Sequence, residues 1–334
     1  MTSNTWDPGR IMQTAGNYWH ACTLHAGVKL DVFTLIGKDA LAADIVAKKA
    51  GADTRGMEVL LNALSAMELL EKEDGRFSNT PASQQFLSQA SEAYMGHIIL
   101  HHHHMVDSWS HLDKVVVSGK PVRKRVFFSD EETRKSFLLG MLNIAMQTAP
   151  LVVPKLDLSG RRHLLDLGGG PGTYAIHFCR QNPDLKATIF DLPTTRPIAQ
   201  QTVDRFKMAD RIQFAEGDYT KEPLPVGCDV AWLSHILHGE GPKSCRTILE
   251  KTASALAPGG VIIIHDFILR NTMDAPLFPA LFSLNMLAGT REGRAYSEEQ
   301  IKSMLLTVGA KNVRRIPVST PNDSGIIIGE LTRN

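Results

Sequence analysis

A glycine-rich segment beside a carboxylate is the part of the sequence best suited to hold a ligand. It reads DLGGGPG over residues 166–172 and overlaps the end of RHLLDL, an apolar run typical of a β-strand. Glycine permits tight turns and lets the backbone approach a ligand that a Cβ atom would exclude. Ligands of open parallel sheets bind at the carboxyl ends of the strands. The segment is therefore predicted to be a binding loop between a strand and a helix.

The spacing of these glycines does not match a dinucleotide-binding loop. The pattern G-x-G-x-x-G fails from each possible start, because Pro171, Thr173 or Ala175 stands where a glycine is needed. Instead, the carboxylate of Asp166 precedes the first glycine by two residues. A negative side chain there suits a ligand that carries a cationic ammonium group and no phosphate. The loop residues predicted to contact such a ligand are Asp166, Gly168, Gly169 and Gly170.

Two more acidic residues end the next two predicted strands. The run ATIFDL ends in Asp191 and Leu192. The run RIQFAEGD ends in Gly217 and Asp218, and Tyr219 follows it. Asp191 can accept hydrogen bonds from ribose hydroxyls and Asp218 from an adenine amine, while Tyr219 can cover the base. The structural alternatives are a helix cap at Asp191 and a turn at Asp218, but three acids at three successive strand ends favour a nucleoside site.

The elements that must position these residues occupy the second half of the chain. After residue 150, short β-branched runs alternate with helical stretches. Near-continuous apolar strands between helices indicate a parallel sheet covered on both faces. The last two runs, KNVRRIPVS and GIIIGEL, have no helix between them and are expected to pair antiparallel. We predict an α/β domain over residues 151–334 with a Rossmann-like, mostly parallel seven-stranded sheet and an antiparallel last strand.

The first half of the chain, residues 1–150, has mostly helical apolar spacing and is predicted to be a separate domain. Residues 40–77 indicate a helix, a turn, a helix with an N-cap at Asp53 or Thr54, and a hairpin about Asp74-Gly75. This order is typical of a winged helix, which could bind DNA. Its second helix, however, is rich in Leu, Met and Ala, whereas a recognition helix needs polar and basic side chains. A dimerisation role is favoured.

Composition narrows the class of protein further. The formal net charge is +1, so no large basic field is available for nucleic acid or an anionic membrane. We find neither a signal peptide at the N-terminus nor an apolar run of roughly 20 residues, the length that spans a bilayer. The four cysteines lack metal-site spacing and fit a reducing cytoplasm. A soluble cytoplasmic protein without nucleic-acid or membrane partners is expected.

Taken together, these motifs resemble a family of S-adenosylmethionine (SAM)-dependent O-methyltransferases. The family includes the plant caffeic acid and hydroxyindole enzymes and many bacterial natural-product enzymes. The resemblance covers nearly the whole chain through GRFSNTP, DSWSHLDKVVVSGKP, LLDLGGGPG, IFDLP, EGDY, LSHILH and LAPGGVIIIHDF. It implies SAM as the methyl donor and S-adenosylhomocysteine as its product. It also implies a homodimer built by the helical N-terminal domain, which lends residues to the partner's pocket.

The resemblance also assigns a catalytic pair. In LSHILHGE, His238 matches the family's general base, while His235, three residues earlier, is the weaker candidate. A histidine with a pKa of about 6.5 can take a proton from a hydroxyl as the methyl group is transferred. Asp266 matches an acid that orients this base, and Ser234 matches a position near the cofactor. No metal is needed for such a reaction, and none is expected.

Further residues are predicted to line a pocket for a small aromatic or polyketide-like acceptor. They are Met141, Phe282, Asn285 and Met286, for which the alternative is ordinary core packing. His101–His104 are consecutive on a predicted helix, so their side chains point about 100° apart and cannot all bind one metal. A surface or dimer contact is favoured for them, with pocket lining as the alternative.

Two departures from the family leave other reactions open. Gly239-Glu240 stands where the family has Asp-Trp after the base, and Ala295 stands at the position of a second acid, with Glu292 out of register. These departures motivate a SAM-binding member with a non-methylating reaction, such as a decarboxylase or hydroxylase. A winged-helix regulator that senses SAM and a nicotinamide dehydrogenase are weaker alternatives.

Overall fold

The computed structural model describes residues 6–123 and 130–332. The chain forms two compact units, Met1–Met105 and Val106–Asn334. This division falls before the domain boundary at residue 150 that the sequence predicts. The long helix Glu131–Val152, most of which precedes residue 150, packs in the second unit. Its residues Ala145, Ala149 and Val152 belong to the core that covers the large sheet.

The first unit is mostly helical. Its helices, with the last one crossing the division, are α1 (Pro8–Gly16), α2 (Tyr18–Lys29), α3 (Val32–Ile36), α4 (Ala43–Ala50), α5 (Thr54–Ala66), α6 (Pro81–Phe86) and α7 (Gly96–Ser110). Its strands are β1 (Leu41–Ala42), β2 (Leu70–Glu73) and β3 (Arg76–Asn79), in the order β1-β3-β2. The predicted hairpin is confirmed, since β2 and β3 pair antiparallel with Glu73 opposite Arg76.

The long helix of the first unit, α5, begins where the sequence predicts and buries an apolar face. The side chain of Asp53 accepts a hydrogen bond of 2.8 Å from the backbone N–H of Gly56, which caps the first turn. Met57, Leu61 and Leu64 are buried in the core of this unit. Their spacing of three and four residues places them on one side of the helix, so α5 packs as a core element.

The second unit contains the remaining strands, all in one sheet. They are β4 (His163–Leu167), β5 (Lys186–Asp191), β6 (Ile212–Glu216), β7 (Cys228–Ser234), β8 (Leu256–Leu269), β9 (Tyr296–Ser297), β10 (Ala310–Ile316) and β11 (Ser324–Leu331). The order is β10-β11-β8-β7-β4-β5-β6, and the two-residue β9, which the sequence did not reveal, pairs with β8. Strands β4 to β8 pair in parallel.

The two last strands confirm the predicted antiparallel pairing. Strand β11 lies between β10 and β8 and is antiparallel to both. Its run Ile326-Ile327-Ile328 is buried, because a strand in the interior of the sheet is covered on both faces. The predicted α/β sheet with an antiparallel last strand is thus confirmed.

The helices of the second unit cover both faces of the sheet. They are α8 (Leu112–Ser118), α9 (Glu131–Val152), α10 (Thr173–Gln181), α11 (Arg196–Arg205), α12 (Pro242–Ala255), α13 (Leu277–Gly289) and α14 (Glu298–Thr307). One apolar cluster joins α9, α10 and α11 to one face, and a second joins α12 and α14 to the other. The sequence predicts a break in the helices over Ser118–Phe128. Helix α8 ends at Ser118, and residues 124–129 lie outside the described residues.

Helix α9 is long and apolar enough to cross a membrane by length and composition alone. Its residues Ala145, Ala149 and Val152 instead belong to the core cluster over the sheet, which also contains Tyr174, Phe178 and Trp232. A helix whose apolar side is covered in this way has the properties of a core helix.

Substitution of Gly172 by alanine tests how tightly the loop after β4 is packed. Gly160 and Gly172 share a φ of +77°, but a Cβ at Gly172 would overlap the Ile189 side chain, whereas nothing lies within 4 Å at Gly160. We expect Gly160→Ala to lower the free energy of unfolding by about 1 kcal/mol through backbone strain. Gly172→Ala should cost about 1–3 kcal/mol more, because it adds an overlap in a packed core. Urea unfolding of both variants measures the difference, and equal losses would contradict this packing.

Candidate active site

The glycine loop after β4 lies directly on the carboxylate of Asp166. A Cβ at Gly169 would fall 2.6–2.9 Å from the three carboxyl atoms of Asp166, a distance that forces one of the two to move. One oxygen, Oδ2, accepts a long hydrogen bond of 3.3 Å from the N–H of Ala175. The other, Oδ1, is buried and has no partner among the described residues. Burial, with a smaller contribution from Asp191, raises the pKa of Asp166 to about 7.

The carboxylate of Asp191 ties this loop to the next strand. Its Oδ2 accepts from the N–H of Gly170 at 2.8 Å, and its Oδ1 accepts from the N–H of Leu192 at 2.7 Å and from the hydroxyl of Thr195 at 3.2 Å. Burial raises the pKa of Asp191 above its ordinary value, although these three hydrogen bonds oppose that rise. A carboxylate has about four acceptor positions, so roughly one remains for a ligand.

The third acidic residue, Asp218, lies in a turn after β6. Its oxygens accept hydrogen bonds from the N–H and hydroxyl of Thr220 and from the ammonium of Lys221. Burial tends to raise the pKa of Asp218, but these bonds hold it below its ordinary value. Tyr219 borders the loop after β4, since a Cβ at Gly168 would lie 3.3 Å from the Tyr219 ring. Because β4, β5 and β6 are adjacent, the three carboxylates share one edge of the sheet.

His238 and Asp266 form a buried pair at the same edge. The ring Nδ1 of His238 lies 2.7 Å from Oδ1 of Asp266, and the His238 backbone N–H lies 3.3 Å from Oδ2. Their side chains are 13% and 3% exposed. Burial alone would raise the pKa of Asp266, but the neighbouring His238 imidazole and its hydrogen bond hold that pKa below the ordinary value. The carboxylate is therefore ionised and accepts a proton-bearing Nδ1, which leaves Nε2 as the free lone pair.

His235 has a different environment from His238. Its Nδ1 lies 3.0 Å from the hydroxyl of Ser234, which also lies 2.9 Å from Nδ1 of His265. Burial lowers the pKa of His235 to about 4 and lowers that of His265 well below its ordinary value. A histidine with so low a pKa accepts a proton poorly at neutral pH, so this geometry favours His238 over His235 as a base.

Aromatic side chains surround the His238 ring. The ring centroid of Phe282 on α13 lies 4.8 Å from that of His238, and Phe267 on β8 stacks on His238 at 5.7 Å. Phe278 completes the group at 5.1 Å from Phe267. Of the predicted pocket residues, Phe282 is thus brought to the base. The residues Phe267 and Phe278 were not predicted, although both lie in apolar runs that flank predicted site residues.

The other predicted pocket residues have mixed placements. Asn285 is buried on α13, where its Oδ1 accepts from Trp109 Nε1 at 3.3 Å and from Arg123 Nη2 at 2.7 Å. Met286 is buried beside it on the same helix. Met141 is half-buried on α9, and the described hydrogen bonds and ring contacts do not join it to the His238 group.

Trp109 and Arg123 were not predicted as partners of Asn285. They lie 176 and 162 residues from it in the chain, and the segment DSWSHLDKVVVSGKP contains Trp109 but ends before Arg123.

The residues near His238 that depart from the family pattern are buried or packed against a neighbouring segment. Ala295 is fully buried, and Glu292 packs against Gly241, where a Cβ would overlap its carboxylate. The Glu240 side chain is buried, and its carbonyl accepts from the hydroxyl of Tyr296 at 2.6 Å. Asp266 is the carboxylate that bonds to the ring of His238 among the residues described.

His101–His104 lie on α7 within the first unit. The ring of His103 contacts that of His25 on α2 at 5.7 Å, and its Nε2 lies 3.1 Å from the ammonium of Lys29. Burial and the neighbouring imidazoles lower the pKa of His25. Within residues 6–123 and 130–332, no group of three or more His, Cys, Asp or Glu side chains is arranged to hold a metal.

Comparison with known proteins identifies the class to which this fold and site belong. Residues 109–311 match the O-methyltransferase domain, and residues 12–89 match the O-methyltransferase dimerisation domain. The chain belongs to the O-methyltransferase family and is SAM-dependent. The resemblance seen in the sequence motifs is thereby confirmed.

Particular relatives match over almost the whole chain. A 3-hydroxy-5-methyl-1-naphthoate 3-O-methyltransferase from Streptomyces sahachiroi is 30% identical over 96% of this chain and 95% of its own. The tetracenomycin polyketide synthesis 8-O-methyl transferase of Streptomyces glaucescens is 31% identical over 96% of each. The crystal structure of human N-acetylserotonin methyltransferase in complex with SAM superposes with a TM-score of 0.87 at 26% identity, covering 99% of this chain and 100% of that one.

The residues at the sheet edge fit SAM. The amino-acid part of SAM carries an ammonium group, and its sulfur is also positively charged. The buried Oδ1 of Asp166 has no partner among the described residues and can accept from such a cation. Gly170 has a φ of +55° and nothing within 4 Å of its would-be Cβ, which leaves room beside the carboxylates.

Replacing Asp166 with Asn should stabilise the ligand-free protein at high pH. Burial raises the pKa of Asp166 from its ordinary value of 3.8 to about 7 in the folded chain. The unfolded chain therefore loses this proton first, and folding stability falls as the pH rises from about 4 to 7. We expect Asp166→Asn to raise the free energy of unfolding by on the order of 2 kcal/mol at pH 8, with little effect at pH 4.

Urea unfolding at both pH values checks this expectation. Glu298→Gln is the matched control, because Lys302 and Arg315 hold the pKa of Glu298 below its ordinary value and its removal should destabilise the protein at pH 8. Addition of SAM should raise the melting temperature of the control and of the wild type but hardly that of Asp166→Asn. A less stable Asp166→Asn protein at pH 8 would contradict the inferred cost of this buried charge.

Proposed function

We propose that this enzyme methylates a hydroxyl group of a small aromatic or polyketide-like metabolite, with His238 as the general base. The observation that carries the proposal is the hydrogen bond of 2.7 Å between His238 Nδ1 and the buried carboxylate of Asp266. It lies at the sheet edge that also carries Asp166, Asp191 and the glycine loop.

His238 accepts the acceptor's proton in this proposal. Because its Nδ1–H donates to Asp266, its Nε2 lone pair is the group that takes the proton from the acceptor hydroxyl. Asp266 then stabilises the imidazolium that forms, as an ionised carboxylate next to a positive ring. Such proton transfer contributes roughly 10²–10⁴-fold to the rate.

SAM, when bound, supplies a methyl group on a positively charged sulfur. The residues proposed to hold it are Asp166 at its ammonium group, Asp191 with Leu192 at the ribose, and Gly217, Asp218 and Tyr219 at the adenine. Gly168, Gly169 and Gly170 are proposed to admit its amino-acid part, and Ser234 is proposed to lie near it. The acceptor oxygen forms the new bond to carbon, the bond from carbon to sulfur breaks with its electron pair left on sulfur, and the proton ends on His238.

An aromatic acceptor suits the surroundings of the base. Phe267, Phe278 and Phe282 place ring faces and edges around His238. Such rings hold a flat apolar molecule by offset stacking and edge-to-face contacts. We propose Phe282, Asn285, Met286 and Met141 as the wall of its pocket. The naphthoate and tetracenomycin enzymes among the relatives support this substrate class.

Methyl transfer should depend on both members of the pair. With methyl-labelled SAM and a panel of phenols and naphthols, His238→Ala should lower kcat about 10²–10⁴-fold, because it removes the proton acceptor. Asp266→Asn should lower kcat by at least tenfold, since the imidazolium loses its negative partner. His163→Gln is the control, because His163 begins β4 at the opposite end from the glycine loop.

Two outcomes would overturn the assignment of His238 as base. One is an His238→Ala variant that retains wild-type turnover. The other is a wild-type protein that binds SAM and consumes an acceptor without transferring the label, which would favour a non-methylating reaction and give a role to Gly239-Glu240.

We further propose a homodimer formed through the N-terminal unit. The dimerisation-domain match begins at residue 12 within α1 and covers all of α2, and these two helices carry large apolar side chains that are more than half exposed. They are Ile11, Met12, Tyr18 and Trp19. An exposed apolar group of this kind on a soluble protein is typical of an interaction surface.

A charge on this surface should break the dimer. Trp19→Glu would place a carboxylate in an apolar interface, and we expect the sedimentation coefficient to shift from dimer to monomer at micromolar concentration. Leu306→Glu on α14 is the control, because Leu306 is also an exposed apolar residue but lies outside the matched dimerisation domain. Sedimentation velocity on both variants separates the cases, and a dimeric Trp19→Glu protein would contradict this interface.

A further inference from the structure

The proposed mechanism leaves one imidazole beside the base without a role. The ring of His235 lies 5.9 Å from that of His238 and 4.6 Å from that of Phe267. Phe282 contacts both His238 and Phe267, so His235 borders the same aromatic group as the base. Its Nε2 is buried and has no hydrogen-bond partner among the described residues.

A chain of hydrogen bonds from β11 determines which nitrogen of His235 carries the proton. It begins at Thr320, whose hydroxyl donates to the backbone carbonyl of Ser324 at 3.0 Å. Thr320 has thus used its only proton, so its oxygen can only accept at the contact of 3.0 Å with the Ser324 hydroxyl. The amide oxygen of Asn322, 3.0 Å away, is a second acceptor, and the one proton of the Ser324 hydroxyl goes to one of these two oxygens. Both contacts direct the Ser324 proton away from His265.

The rest of the chain follows from this first assignment. Nε2 of His265, 2.9 Å from the Ser324 hydroxyl, must be the donor of that bond. His265 is buried and its low pKa keeps it neutral, so its Nδ1 carries a lone pair. The Ser234 hydroxyl donates to that Nδ1 at 2.9 Å. Ser234 then has no proton left, and it accepts from Nδ1–H of His235 at 3.0 Å.

His235 therefore carries its proton on Nδ1 and a lone pair on Nε2. Burial lowers its pKa to about 4, so the ring stays neutral at physiological pH. Its buried Nε2 is an acceptor without a donor, an arrangement that is unfavourable unless a bound molecule supplies one. The partner of its Nδ1 is a serine and not a carboxylate, and burial outweighs the nearby charge of Asp266, which by itself would raise the pKa of His235.

We propose that His235 Nε2 is a specificity-determining acceptor, which binds a second O–H or N–H group of the substrate next to the hydroxyl that His238 deprotonates. This inference rests on the proposed function and deepens it. Both rings present Nε2 lone pairs, and their centroids are 5.9 Å apart. Two neighbouring donors on one aromatic ring, as in a catechol, can meet both lone pairs. A substrate with only the reacting hydroxyl leaves Nε2 of His235 unsatisfied.

Nitrogen NMR of the protein labelled with ¹⁵N-histidine tests the proton assignment without any turnover. In the S-adenosylhomocysteine-loaded enzyme at pH 7, the His235 signals should show the pattern of a neutral ring protonated at Nδ1. His265 should show the opposite tautomer, protonated at Nε2. His235→Phe and His265→Phe assign the two sets of signals. A His235 ring protonated at Nε2 would present a donor and would overturn the proposal.

Two matched probes then test the contact itself. Catechol has a second hydroxyl beside the reacting one, whereas 2-methoxyphenol has a methoxy group there and no second donor. Titration with catechol should shift the His235 Nε2 resonance in the direction of a hydrogen-bonded acceptor. Titration with 2-methoxyphenol should leave it near the ligand-free position. Equal responses to the two probes, or none to catechol, would overturn the proposal.

The variants provide an independent measurement. The ratio of kcat/KM for catechol to that for 2-methoxyphenol should fall at least tenfold in His235→Phe, which keeps a flat ring but lacks an acceptor. His235→Gln keeps an acceptor and should restore part of the ratio. A thermal shift with S-adenosylhomocysteine shows that each variant is folded. An unchanged ratio in His235→Phe would overturn the proposal.

These measurements separate the two proposals. If His235 responds to catechol but no label reaches any acceptor, the contact stands and methyl transfer fails. If label is transferred but His235 is silent, the methyltransferase assignment stands and the role of His235 fails.

Discussion

The hydrogen bond from the Gly170 N–H to Asp191 Oδ2 is the interaction on which the cofactor edge of the sheet depends. It joins the loop after β4 to the end of β5, and it holds the glycines against the carboxylate of Asp166. Asp166 is buried with one oxygen unpartnered among the described residues, so its carboxylate lacks a counter-charge at the proposed SAM site. The loop thus carries a cost in the ligand-free chain that a positively charged cofactor offsets.

The two histidines that follow β7 show how the hydrogen-bond partner of Nδ1 determines the chemistry of an imidazole ring. His238 shares its Nδ1 proton with a buried carboxylate, whereas His235 shares its own with a serine. The carboxylate stabilises a positive ring at His238, whereas at His235 burial outweighs the nearby charge of Asp266 and keeps the ring neutral. Three residues apart in the sequence, one imidazole is suited to take up a proton and the other to remain neutral.

The sequence predicted the features that depend on local patterns. The glycine loop, the acids at the strand ends, the cap at Asp53 and the antiparallel last strand all follow from spacing and turn chemistry. It did not reveal contacts between distant positions, such as Arg123 with Asn285 or His265 with Ser324. The apolar sequence of β8 indicates that His265 within it is buried. It does not indicate that the partner of His265, Ser324, lies 59 residues later on β11. Such pairs are set by sheet order, which periodicity does not encode.

The position of β11 has a consequence for the order in which the site is completed. This strand is synthesised after both of its neighbours, β8 and β10, yet it lies between them in the sheet. A ribosome therefore releases the cofactor loop, both histidines and Asp266 before Ser324 can enter the sheet. Until then His265 lacks its Nε2 partner, and nothing selects one protonation form of the ring beside the base. Strand β11 thus selects the protonation form of the ring beside the proposed base only after that base and Asp266 have been synthesised.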